Sequence, residues 1–71
     1  MEKKDIRELV GTYGWVEIPS KNIYMISFSK DESKERMNVY FTTMTVTIDG
    51  KDGSCIVHRK VDVNQLEKIA Q

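Results

Sequence analysis

Cys55 and His58, the one thiol and the one imidazole of this chain, stand three positions apart and are the residues best equipped for covalent chemistry. A thiolate with a base in hydrogen-bond reach is a working nucleophile. On a strand, however, positions an odd number apart point to opposite faces, and the run from Cys55 to Val61 reads as one. The pair then separates into a buried structural Cys and an exposed His. The 11 Asp and Glu residues fall in loops and on helix faces beside Lys or Arg, the pattern of a solvated surface rather than of paired acid and base.

Metal and nucleotide chemistry lack their ligand patterns. Zinc asks for about four Cys or His ligands, and the chain holds one of each. Asp49 and Asp52 have turn spacing, without the alternating oxygens and terminal Glu of a calcium loop. There is no GxGxxG and no Walker-type glycine loop. No catalytic residue, metal ligand, cofactor or small-molecule substrate is inferred, and the expectation is a protein that binds without catalysing.

Two kinds of partner remain. Ile23 and Met25 lie on the parity opposite Tyr24, Ile26 and Phe28, so a strand here carries apolar side chains on both faces. Ile56 does the same further on. Ile23, Met25, Tyr40 and Ile56 are therefore the candidate contacts for another protein or a second copy of this one, through a sheet face or an uninterrupted edge. A homodimer would also enlarge a small core. The alternative is single-stranded nucleic acid, with Tyr40 offering a stacking surface and His58, Arg59 and Lys60 offering charge. Eleven basic residues against eleven acidic ones leave no overall surplus to attract phosphates, which places this reading second. Thr43, Thr45 and Thr47 at period two are ordinary strand content.

Length bounds the scaffold that can present these residues. Seventy-one residues make one domain, and 39% hydrophobic with 31% charged residues is ordinary globular composition. Met1-Glu2-Lys3-Lys4-Asp5 opens without an apolar stretch behind it, so no secretory or transit signal is read, and a single Cys suits a reducing compartment. A cytoplasmic protein that does not enter a membrane is the expectation.

Ile6, Leu9, Val10 and Tyr13 form a helical stripe that predicts a helix over 3–10, ended by Gly11 and Gly14. Residues 22–29 read as a buried strand, the charged run 30–36 as a hairpin loop, and 37–48 as one long strand. Within that strand the apolar phase shifts from Met37, Val39 and Phe41 to Met44, Val46 and Ile48, which predicts a bulge near Thr42 and Thr43. Asp49 to Gly53 predicts a hairpin. Asp62 with Gln65 three residues on caps a helix over 63–70. The whole is an α+β domain of order α-β-β-β-α: a curved three-stranded antiparallel sheet, with room for a short extra strand near Trp15, and two short helices on one face. The other face is left open, presenting Asn38, Tyr40, Thr45 and Thr47 with Ile56, His58 and Lys60 beside them.

Overall fold

Asp62 marks the better defined of the two helix starts. Its carboxylate accepts from the Gln65 N–H at 2.8 Å, and the Gln65 side chain accepts from the Asp62 N–H at 3.0 Å, so two donors that a helix start leaves orphaned are satisfied together. Helix α2 follows as Val63–Ala70, with Leu66 and Ala70 buried. At the other end of the chain the Asp5 carboxylate accepts from the Glu2 N–H at 3.3 Å, and α1 runs Lys3–Thr12 with Ile6 and Val10 buried. In the computed structural model, which describes all 71 residues, these helices flank five strands. They are β1 Val16–Ile18, β2 Met25–Lys30, β3 Glu35–Tyr40, β4 Thr45–Asp49 and β5 Cys55–His58.

The α+β class holds, with five strands in place of three. The segment after Trp15 is a strand, and the stretch 37–48 is two strands joined by Phe41–Met44. The shift of apolar phase marks a reversal of the chain, not a bulge. Val39 stands opposite Val46 and Met37 opposite Ile48, so odd positions on β3 and even positions on β4 share one face. Met44 has φ 53°, a left-handed backbone on a residue that gives no turn signal in the sequence.

All four pairings are antiparallel and join neighbours, in the order β1-β2-β3-β4-β5. Cross-strand partners form rows. On the helix side one row is Glu17, Phe28, Met37, Ile48 and Ile56, and the next holds Ile26, Val39, Val46 and His58. Phe28, Met37, Val39 and Val46 are buried there with Ile6, Val10 and Leu66 from the helices. Arg7 on α1 reaches the Glu17 carboxylate at 2.8 Å, which ties that helix over the first strand.

Trp15 closes the unit. Its indole N–H donates to the Ala70 carbonyl at 2.9 Å, joining the start of the sheet to the last turn of α2. Ala70 is fully buried, so nothing else reaches that carbonyl if the donor goes. Trp15→Phe should lower stability by about 1–2 kcal/mol, read as a lower urea midpoint at unchanged slope. An unchanged midpoint would mean that the bond contributes nothing net.

Candidate functional site

Opposite the helices lies a face that no element covers, and its register is fixed by the same pairings. Its central row is Ile18, Ser27, Asn38, Thr47 and Val57. Ser27 donates to the Asn38 Oδ1 at 2.9 Å, and the Asn38 amide donates to Thr47 Oγ1 and Asp49 Oδ2, each at 3.1 Å. The middle of the face is therefore a closed polar ladder whose members already have partners. A sheet apolar on both sides is not what forms: exposed Val16 and Val57 sit at the two opposite edges, with hydrogen-bonded polar groups between them.

Four expected open-face residues, Asn38, Tyr40, Thr45 and Thr47, do lie there. Tyr40 is flanked by Met25 and Thr45 in a row at one end of the face, and Met25 and Tyr40 are both half-buried. Ile23 lies in the loop before β2, 78% exposed. Ile56 and His58 are corrected. Both belong to the helix side, because the five-residue loop Gly50–Ser54 puts even positions of β5 opposite even positions of β4. Val61, which is buried, suggested the reverse parity from sequence, but Lys60 has φ 53° and breaks the alternation between His58 and Val61. Lys60 itself stands beyond the end of the strand.

His58 lines a shallow groove with Val61, Gln65, Lys68 and Ile69, while Cys55 is exposed rather than buried and looks out from the open face. The two stand on opposite sides of the sheet. A hydrogen bond with Asp49 and that carboxylate's charge, with some burial, push the Cys55 thiol above its ordinary range, which leaves it protonated and a poor nucleophile. No three His, Cys, Asp or Glu side chains are placed together so as to hold a metal ion. No helix is long and apolar enough to cross a membrane.

What the structure adds is the state of the two sheet edges. The β1 edge is three residues long and runs into Pro19, which has no N–H to offer a further strand. The β5 edge is different. Cys55, Ile56 and Val57 are all exposed, Ile56 at 55% and Val57 at 49%, with no Pro, Gly or charge within the strand. Gly50 N–H donates to the Ser54 carbonyl at 2.8 Å, making that a bonded pair of the β4–β5 ladder. Bonded and unbonded pairs alternate in an antiparallel ladder, so Ile56 and His58 spend their backbone groups on β4. Those of Cys55 and Val57 point away from the sheet. This edge is legible in the sequence once the Asp-Gly turn signals fix the loop length, but not from the apolar pattern alone.

Arg59 and Lys60 follow the strand, held against the β3–β4 turn by the Val61 N–H donating to the Met44 carbonyl at 2.9 Å. With Thr43 and Thr45 they line a small polar notch. The loops at this end of the sheet carry Lys21, Arg59 and Lys60 against the single acid Asp62, whereas those at the other end carry Asp31, Glu32 and Asp52 against Lys34 and Lys51. A net charge of zero conceals two ends of opposite character. Comparison with family models, with curated proteins and with solved structures finds no match to this chain.

Proposed function

We propose that this is a small non-catalytic interaction module that works by strand addition, taking a partner strand along the free edge of β5. The observation that carries the reading is the exposure of Ile56 and Val57 on a strand whose outward backbone groups have no partner. Backbone hydrogen bonds along such an edge give affinity, and alternate side chains give specificity. The partner is a protein segment or another copy of this chain. Docking on the open face is the weaker form of the reading, since Asn38, Ser27 and Thr47 satisfy one another and a partner would have to break that ladder or leave it idle.

The test is mass in solution by light scattering across a dilution series from about 1 mM to about 1 µM, a range that brackets weak association. The wild type should gain mass with concentration. Ile56→Lys should remain monomeric with an unchanged far-UV spectrum, because a side chain 55% exposed can take a Lys whose stem lies along the surface. A variant that associates as the wild type does would remove β5 from the interface.

A second reading has one observation in its favour. The basic end of the sheet, with Arg59, Lys60 and the Thr43 and Thr45 hydroxyls around one notch and Tyr40 next to Thr45, suits the backbone and a base of single-stranded nucleic acid. Adding a short single-stranded oligonucleotide to the same series decides it. A gain in mass that falls steeply as salt is raised would put this reading first.

A further inference from the structure

We infer that the strand added at β5 is the β5 of a second copy of this chain, antiparallel about a twofold axis at Ile56. The inference rests on the reading of β5 as the docking edge and goes beyond it by naming the occupant and its register. Only Cys55 and Val57 have outward backbone groups, so an added strand must meet them with outward groups of its own. Setting Ile56 opposite the second copy's Ile56 places Cys55 of each chain against Val57 of the other as bonded pairs, and every free donor and acceptor of the two edges within the strand is used. Ile56 itself becomes an unbonded pair on the dyad, where Cα atoms approach to about 4.5 Å and side chains pack closest. The exposed Ile56 side chain, stranded at the end of the Phe28–Met37–Ile48 row, is then covered by its own equivalent.

The charges flanking β5 fit the same register. Beyond the strand ends the same twofold brings the segment after β5, with Lys60, alongside the second copy's Gly50–Ser54 loop, with Asp52, and brings Lys51 of that loop toward the second copy's Asp62. Each contact occurs twice by symmetry. Asp52 sits in the β4–β5 loop, where its carboxylate accepts from the Ser54 N–H at 3.0 Å. The Ser54 hydroxyl and backbone hold its pKa below the ordinary carboxylate range, which keeps it charged. Neither of the other exposed surfaces of the sheet has this complement: the β1 edge is stopped by Pro19, and the centre of the open face is uncharged but for Asp49 and Arg36 at its margin. The result is one continuous sheet of both copies, with all helices on one side. Four-residue edges bury less than a standard interface of about 1,600 Å², so the assembly is reversible.

The experiment places a Cys on the dyad. In a Cys55→Ser background, Ile56→Cys brings two thiols to a Cα separation within the range of about 4.4–6.8 Å that a disulfide bridges. Val16→Cys in the same background, 57% exposed on the other edge, gives the collisional rate. Under mild oxidation Ile56→Cys should cross-link at least ~10 times faster than Val16→Cys, at concentrations where light scattering reports dimer. Lys60→Glu and Asp52→Lys should each weaken dimerisation by about 5-fold or more, and the two together should restore it to within about 3-fold, as expected of a directly coupled charge pair counted twice. Equal cross-linking rates in a protein that dimerises by mass, or no restoration in the double variant, would overturn this register and leave β5 addition standing. A wild type that is monomeric throughout the series but gains mass with an unrelated extended peptide would overturn the second copy as occupant. One that gains mass with neither overturns both.

Discussion

Phe28→Ala should leave the protein close to its unfolding threshold at room temperature. Phe28 is 1% exposed in the middle of the helix-side face, with Met37 and Glu17 as its cross-strand neighbours. Removing a buried ring costs about 3–5 kcal/mol in transfer and cavity terms. A chain of 71 residues has about 4–10 kcal/mol of stability at the usual ~0.05–0.15 kcal/mol per residue. The substitution therefore takes about 30% or more of the total. At about 4–8 °C per kcal/mol for a domain of this size, Tm should fall by about 12–40 °C. Thermal melting by circular dichroism checks this, at fixed protein concentration because self-association would raise Tm with concentration. A fall of less than about 5 °C would mean that the helices do not close over this row as described.

Val57→Pro should abolish association while leaving the monomer folded, and Ile56→Pro should do the opposite kind of damage. The two positions are adjacent and both exposed, yet their N–H groups point in opposite directions. The Val57 N–H is directed away from β4, so Pro removes a donor that the monomer does not use and puts its ring where an added strand would lie. The ring also imposes φ near −65°, which an edge strand tolerates. The Ile56 N–H belongs to the bonded pair with Ile48, and its loss with the accompanying clash should cost about 3 kcal/mol. Urea unfolding separates the two variants, and light scattering shows the first to be monomeric at every concentration. If both destabilise alike, the alternation of the β4–β5 ladder is not as the Gly50–Ser54 bond implies.

Local chemistry made much of this fold legible. Asp62 with Gln65, the Ile6–Val10 stripe, the charged run after β2 and the glycines around Lys51 each state a helix start, a helix face or a hairpin in residue types that have a mechanism. What failed was phase. The Phe41–Met44 turn contains no Gly, Asn or Pro, and its left-handed residue is Met44, so the sequence offered a parity shift and no breaker to explain it. A bulge and a reversal both shift parity, and only the pairing of Tyr40 with Thr45 separates them. Lys60 misled in the same way at the far side of β5, where a second left-handed residue disconnects Val61 from the strand before it. Of the candidate contacts, Tyr40 stands on the open face as expected, and the pairing places Met25 beside it. Ile56 gained its significance from an edge, which no pattern of side chains along one strand can reveal.

The meander has a consequence for how the chain finds this state. Each strand pairs with the next one along, across loops of four to six residues, so the sheet asks for little loop-closure entropy and the contact order is low. The two ends of the chain meet where α2 docks on α1 and Trp15, fastened by the bond from the Trp15 indole to the Ala70 carbonyl and by the Tyr13 hydroxyl donating to the Glu67 carboxylate at 2.8 Å. Trp15 is the sole tryptophan, so its fluorescence reports that union together with the closing of the core around the indole. A stopped-flow trace of refolding followed by tryptophan emission would watch the two ends of the chain meet, while far-UV dichroism follows the hairpins that form from neighbours alone.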